Sequence, residues 1–204
     1  MNNTKILNTL LSSINSFRDD FQSDLFGYLY ESDIQCALFA KLRRDINQYV
    51  NVIGVNEDSY RLNLIYSEYL QAFDLCCLNP EEIIKLSKVD VLKEHRGHDD
   101  YIYYLLPLLV AIELKLIKGK RKGNFQSFLQ DEEKLKKSIH EWHKGKISHW
   151  LSICYIHYDE VMDCHINSLQ STHNIEVVTS IDDLNCSYAV TPTKTYRVKN
   201  TTNV

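Results

Sequence analysis

One short stretch of the chain combines an acid and a base inside an otherwise apolar run. In Ala111-Ile112-Glu113-Leu114-Lys115 the side chains of a β-strand would alternate between faces, so Glu113 and Lys115 share one face. A buried carboxylate is costly unless it is paired or bound to a metal. The spacing therefore indicates either a structural ion pair or a site where Glu113 and Lys115 do chemistry together.

A second lone acid, Asp74, lies within Phe73-Asp74-Leu75-Cys76, another short apolar segment typical of a strand. Two carboxylates on neighbouring buried strands repel each other unless a cation lies between them. Carboxylate oxygens are the ligands that hard divalent cations prefer. Asp74 and Glu113 together therefore predict a divalent-cation site.

Glu31 is a third candidate, at the start of a predicted helix. Glu31, Ile34, Gln35, Leu38 and Leu42 fall on one helical stripe. Glu31 is therefore expected at the entry of the inward face, although an acid favoured by the helix dipole is an equally simple interpretation.

Positive charge is concentrated after the Glu113 strand. Residues 113–146 contain ten Lys or Arg and five Asp or Glu, a net of +5, and the rest of the chain carries −9. A local basic surface is what phosphate contacts need, whereas a solvated charged face is the simpler alternative. The candidate nucleic-acid contacts are Lys118, Lys120, Arg121, Lys122 and Lys134.

The elements that would position these residues belong to an α/β or α+β domain. Apolar spacing predicts helices over 3–30, from about Glu31 to Tyr49, and over 125–144. Strands are predicted around 62–66 and 73–78 as a hairpin, in the second half of 101–117, over 150–158 and over 175–179. Asn79-Pro80-Glu81-Glu82 predicts a helix that fades near Gly97, and the polar tail after Val190 is expected to fray.

Composition narrows the functional classes for this chain of 204 residues. The net charge is −4, Gly (6) and Pro (3) are scarce, and no phosphate-binding glycine motif occurs. The N-terminus lacks a signal-peptide pattern and 101–117 is too short and charged to span a bilayer, so a cytoplasmic protein without membrane attachment is expected. The six cysteines are expected to be free thiols.

The residues Glu31, Asp74 and Glu113-Leu114-Lys115, in this order of elements, resemble the PD-(D/E)XK nuclease superfamily, which has the restriction-endonuclease-like fold. The resemblance covers about Glu31 to Tyr158, with Phe73 where many members have proline and an insertion at 79–100. It implies a mixed central sheet flanked by helices, preceded by a helical segment (1–30), with the nuclease-like domain at 31–190 and a polar tail at 191–204.

The same resemblance implies a role for each residue of the candidate site. Asp74, Glu113 and Glu31 would bind Mg²⁺ or Mn²⁺, and Lys115 would assist a metal-activated water in cleaving a phosphodiester. Asp131-Glu132-Glu133-Lys134-Leu135 is similar to a helix pattern that follows the strand in some members. DNA is favoured over RNA as substrate, a homodimer is left open, and the alternative is a catalytically inactive module of the same fold that binds nucleic acid or protein.

Overall fold

A computed structural model describes residues 2–54, 57–69, 73–89, 91–96, 99–104, 106–119, 123–142, 146–170 and 172–200. The helices are α1 (Asn3–Ser23), α2 (Glu31–Ile46), α3 (Pro80–Ile83), α4 (Gly123–Trp142) and α5 (Asp159–Leu169). The strands are β1 (Tyr49–Ile53), β2 (Ser59–Asn63), β3 (Ile65–Tyr69), β4 (Phe73–Leu78), β5 (Val91–Arg96), β6 (Asp99–Tyr104), β7 (Leu108–Ile117), β8 (Ile147–Ile156), β9 (His173–Val178), β10 (Cys186–Val190) and β11 (Thr195–Asn200).

A seven-stranded mixed sheet organises the fold, with helices packed against it. Its order is β3-β4-β7-β8-β10-β11-β9. The central strands β7, β8 and β10 are parallel, whereas β3, β4, β11 and β9 join by antiparallel pairing. Two separate ribbons, β1-β2 and β5-β6, accompany it. The mixed α/β class predicted from the sequence is confirmed.

The two faces of the central strands contribute to different apolar clusters. On one face Ile112, Leu114 and Tyr155 belong to the cluster that also contains the buried residues of α1 and α2, and the rings of Phe17 and Phe21 contact Tyr155 edge-on. The opposite face contributes Ile117, Cys154, Ile156, Ala189 and Val198, which cluster with apolar residues of α4 and α5. Burial of both faces explains the near-continuous apolar sequences of β7 and β8.

Several sequence-based expectations were right about an element but wrong about its bounds. Helix α1 ends at Ser23, not at residue 30, and a 3-10 turn at Leu25–Gly27 leads into α2. The predicted strand around 62–66 is two strands divided at Leu64. The side chain of Asn63 accepts a hydrogen bond from the N–H of Ile65 (2.8 Å), and this local turn separates β2, which pairs with β1, from β3, which pairs with β4.

The helix predicted after Asn79 is much shorter than expected. Asn79 does cap it by accepting a hydrogen bond from the N–H of Glu82 (3.1 Å), but α3 has only four residues. Residues 91–96 instead form β5, which pairs with β6 from Val91↔Tyr104 to Arg96↔Asp99. A capping signal fixes where a helix begins, but its length depends on packing that the signal does not encode.

The expectation of a frayed tail after Val190 is wrong for residues 195–200. Strand β11 lies inside the sheet between β10 and β9, and Tyr196 and Val198 are buried. Because only alternate residues face the core, the segment has a polar composition although half of it is buried. Strand β10 and helix α5 were not predicted. The six cysteines are free, and four of them, Cys76, Cys77, Cys154 and Cys186, are buried.

Candidate active site

Asp74 and Glu113 lie on the same face of adjacent antiparallel strands. Leu75 and Ile112 are direct register partners of β4 and β7, and both are fully buried. Because the strands are antiparallel, Asp74, the residue before Leu75, lies opposite Glu113, the residue after Ile112. Both side chains therefore project to the face opposite that of Leu75 and Ile112. Lys115, two residues beyond Glu113, shares that face. The strand register therefore places the three predicted residues together.

Two carboxylates are fixed to one edge of β7. The N–H of Leu114 donates to Asp74 Oδ2 (2.7 Å), and the N–H of Leu116 donates to Glu31 Oε2 (3.0 Å). Alternate N–H groups of a strand point to the same edge, and the β4–β7 ladder has ended before these two positions. The side chains of Asp74 and Glu31 thus satisfy two backbone donors that are not paired by any neighbouring strand in the described part of the chain.

Glu31 reaches this edge because it is the first residue of α2. Asp33 accepts hydrogen bonds from the N–H groups of Leu29 (2.9 Å) and Tyr30 (2.8 Å), which fixes the chain entering the helix. One turn further, the side-chain amide of Gln35 donates to the backbone oxygen of Asp74 (3.0 Å). The N-terminal turn of α2 is therefore hydrogen-bonded to both β4 and β7. Glu31 was expected at the entry of the inward face and not on the solvated side; its side chain contacts β7 but remains 44% exposed.

The partner of Lys115 is Asp131, a residue of α4 that was not among the predicted site residues. Lys115 Nζ lies 2.9 Å from Asp131 Oδ2 and 4.0 Å from Glu31 Oε2. The Asp131 side chain is only 15% exposed, and its other oxygen accepts from Lys134 Nζ (2.9 Å). The Asp131-Glu132-Glu133-Lys134-Leu135 pattern contained the signal. From it Lys134 was predicted as a phosphate contact, whereas Asp131 was not assigned a role.

Burial and mutual repulsion raise the pKa values of two carboxyl groups. Burial, followed by the charges of Asp74, Asp131 and Glu31, raises the pKa of Glu113 to about 8. Burial also raises the pKa of Asp74 to about 6, with a further contribution from Glu31, although the hydrogen bond from Leu114 acts in the opposite direction. Near neutral pH the pair therefore retains a proton unless a cation compensates its charge.

The ion pair of Lys115 and Asp131 shifts both pKa values toward the charged forms. Burial is the largest single effect on Lys115 and lowers its pKa, but the hydrogen bond to Asp131 and the charges of Glu31 and Asp131 together raise it. For Asp131, burial raises the pKa, and the hydrogen bonds from Lys115 and Lys134 outweigh it and lower the pKa. Lys115 is thus an ammonium ion held beside the half-buried carboxylate of Asp131.

The predicted basic contacts are only partly within the described residues. Lys118 follows β7 directly, is exposed, and places its Nζ 4.5 Å from the centre of the Tyr30 ring. Lys134 is exposed and paired with Asp131. Lys120, Arg121 and Lys122 lie outside the residues that the structure describes. The two described lysines both lie next to residues of the candidate site.

The donor chemistry of the site suits a hard divalent cation. Glu31, Asp74 and Glu113 offer carboxylate oxygens, and the raised pKa values of Asp74 and Glu113 reflect an excess of negative charge that a cation would relieve. In the described part of the chain, no three His, Cys, Asp or Glu side chains are already arranged as a metal-binding group.

Among the described residues, no helix is long and apolar enough to cross a membrane. Comparison of the chain with protein-family models, with curated proteins and with solved structures gives no match. The arrangement of Glu31, Asp74, Glu113, Lys115 and Asp131 is therefore the basis for assigning a function.

Proposed function

We propose that this protein is a metal-dependent nuclease of the restriction-endonuclease-like fold that hydrolyses phosphodiester bonds in DNA. The order of elements supports the proposal, because α2, β3, β4, β7, α4 and β8 follow one another as the resemblance to the PD-(D/E)XK superfamily implies. The candidate residues also fall on the elements expected for them: Glu31 on α2, the helix before the hairpin, Asp74 on the hairpin, and Glu113 and Lys115 on the central strand.

The observation that carries the proposal is the pairing of raised carboxyl pKa values with a neighbouring ammonium group. Asp74 and Glu113 share one face of the sheet, and Lys115 lies on the same face beside Glu31 and Asp131. Strongly perturbed titrating groups that cluster around one point are more frequent at functional sites than elsewhere. A plain structural ion pair would need only one carboxylate for Lys115.

Asp74, Glu113 and Glu31 are the residues that would hold Mg²⁺ or Mn²⁺. A bound divalent cation polarises a phosphate and lowers the pKa of a coordinated water. The N–H groups of Leu114 and Leu116 hydrogen-bond to one carboxylate oxygen of Asp74 and of Glu31, respectively, and so orient both groups. The second oxygen of each carboxylate would then be the metal ligand. The backbone of β7 therefore positions two of the three proposed ligands.

Lys115 would act through its positive charge. Its raised pKa keeps it protonated near neutral pH, so it can donate a hydrogen bond to a phosphate oxygen where negative charge increases in the transition state. Asp131 holds the ammonium group on the face of β7 that carries Glu113. We assign Lys115 as the catalytic lysine and Asp131 as a residue that positions it.

The substrate and assembly follow from the same proposal. Lys118 and Lys134 would contact phosphates, with Lys120, Arg121 and Lys122 as further candidates on the basis of the sequence. The net charge of −4 predicts DNA binding that is weak and strongly sensitive to salt. Cutting both strands of a duplex in one encounter uses two sites, so cleavage of both strands in one encounter would favour a homodimer.

A non-catalytic binding module on the same fold is the competing candidate. The 2.9 Å contact between Lys115 and Asp131 favours it, because a satisfied ion pair is also what a purely structural cluster would contain. Calorimetric titration with Mg²⁺ and Mn²⁺ separates the two functions. Metal binding that is lost in Glu113→Gln supports the nuclease, whereas no metal binding and no nicking of DNA would favour the binding module.

The direct test is a cleavage assay on supercoiled, linear and single-stranded DNA with Mg²⁺ or Mn²⁺. Wild-type protein should cleave at least one form, EDTA should stop cleavage, and Lys115→Ala and Glu113→Ala should abolish it. Glu133→Gln is the matched control, because Glu133 is exposed on the same helix as Asp131. Metal-independent cleavage, or equal cleavage by the Lys115→Ala variant, would reject the proposal.

A further inference from the structure

An exposed apolar segment borders the candidate site. Tyr30 is 63% exposed and Leu29 is 53% exposed, although both are large apolar side chains. They directly precede Glu31, whose carboxylate is bound to the edge of β7. Burial of such side chains is normally favourable, so exposure of two in succession beside a candidate active site points to a ligand that covers them.

A cation lies against the exposed aromatic ring. Lys118 Nζ is 4.5 Å from the centre of the Tyr30 ring, and Lys118 lies only three residues beyond Lys115 in the chain. The ring directly precedes α2 and the ammonium group directly follows β7, the two elements that carry Glu31 and Lys115. A π face beside a positive charge suits a ligand that has both a flat ring and an anionic group.

We propose that Tyr30 stacks on an unpaired nucleobase of the substrate and that Lys118 contacts the adjoining phosphate. This inference rests on the proposed nuclease function and narrows its substrate to DNA with a single-stranded segment at the cleavage point. Bases within an intact duplex are stacked on each other and offer no free ring face, whereas a single strand does. Charge also favours this ligand, because the positive charge of Lys118 lies beside the Tyr30 ring and is exposed to solvent, where it can attract a phosphate.

The chain contains a matched pair that serves as a control. Arg61 lies over the ring of Tyr49 at 4.2 Å, and Tyr49 is 38% exposed. Tyr49 follows the C-terminal end of α2, whereas Tyr30 precedes its N-terminus, so a helix of 16 residues separates them by about 24 Å. The two pairs share their chemistry, but only the Tyr30 pair borders the candidate site.

The test measures, by fluorescence anisotropy, the affinity of the protein for a labelled oligothymidylate of about twelve nucleotides and for an abasic oligomer of the same length. Binding is measured in EDTA at low salt, where the removal of free divalent cations blocks metal-dependent cleavage. Tyr30→Ala should weaken binding of the oligothymidylate by about 5-fold to 100-fold and leave binding of the abasic oligomer unchanged. Tyr30→Phe should bind as the wild type does, and Tyr49→Ala should change neither affinity.

Three results would overturn the inference: no binding of oligothymidylate by the wild type, equal binding by Tyr30→Ala, or equal losses for both oligomers. The exposed position of Tyr30 makes unfolding of the alanine variant a small concern, and its melting temperature checks this. Failure of the proposed function is a separate result, namely the absence of metal-dependent cleavage by the wild type. A protein that cleaves DNA but shows no effect of Tyr30→Ala keeps its function and loses only the stacking role.

Discussion

Lys115 on β7 and Asp131 on α4 form an ion pair with Nζ and Oδ2 2.9 Å apart. The same carboxylate is hydrogen-bonded to Lys134 through its other oxygen. This pair links the central strand to the helix that covers it, on the face that also carries Glu113. The position and the charge of Lys115 therefore depend on a residue sixteen positions further along the chain.

Removing the charge of Asp131 should lower the pKa of Lys115 and loosen its position, while the lysine itself remains in place. In Asp131→Asn the pKa of Lys115 is expected to fall, since the hydrogen bond to Asp131 and its charge both raise that pKa. Cleavage should slow by about 10-fold to 100-fold, and the alkaline limb of the pH–rate profile should shift to lower pH. An unchanged profile, or the same loss in Glu133→Gln, would contradict the positioning role.

The metal-free protein should lose stability as the pH rises. The pKa of Glu113 is 4.5 in the unfolded reference and about 8 in the folded protein, so between these values the folded state holds a proton that the unfolded chain has released. Stability therefore decreases with increasing pH in this window. Melting temperatures in EDTA should fall from about pH 5.5 to about pH 8.5, and Glu113→Gln should flatten this dependence. A wild-type melting temperature that is constant or rises over this window would contradict it.

Divalent cations should stabilise the protein more at alkaline than at acidic pH. Mg²⁺ or Mn²⁺ would compete with protons at Glu113 and Asp74, whose pKa values are about 8 and about 6. The increase in melting temperature on adding metal should be larger at about pH 8.5 than at about pH 6, and Asp74→Asn and Glu113→Gln should reduce it. Glu133→Gln should respond as the wild type does. Equal responses by all variants would place metal binding elsewhere.

Strand β11 should contribute strongly to stability. Tyr196 is 2% exposed, so Tyr196→Ala should lower the free energy of unfolding by about 3 to 5 kcal/mol. Val177 is the register partner of Tyr196 on the edge strand and is exposed, so Val177→Ala should cost less than about 1 kcal/mol. Urea unfolding measures both values. Equal, small effects would show that residues 195–200 are not part of the core.

The central part of the fold was predictable because its sequence pattern is strong. Strands β7 and β8 are buried on both faces, and each contains a nearly continuous apolar run, which is typical of a strand buried on both faces. A lone acid in an apolar strand is costly unless it is compensated, and both Glu113 in β7 and Asp74 in the short apolar strand β4 are of this kind. The geometry of these residues thus followed from their types and their alternation.

Other features depended on contacts between distant parts of the chain. The ion pair of Asp131 with Lys115 requires that α4 pack on one particular face of β7, which periodicity alone does not specify. In β11 only Tyr196 and Val198 are apolar among six residues, although their alternation was a visible signal of a strand. At the break the backbone of Leu64 is hydrogen-bonded to Gln48 and Leu78, while the N–H of Ile65 donates to the Asn63 side chain.

The most direct test of the proposed nuclease function is the rate of plasmid nicking at saturating Mg²⁺ for the wild type, Lys115→Met and Glu133→Gln. Circular dichroism of each variant confirms that it is folded. We predict that the wild type and Glu133→Gln nick supercoiled DNA at similar rates and that Lys115→Met is slower by about 100-fold or more. No cleavage of supercoiled, linear or single-stranded DNA by the wild type with Mg²⁺ or Mn²⁺, or equal rates for wild type and Lys115→Met, would contradict the proposed function.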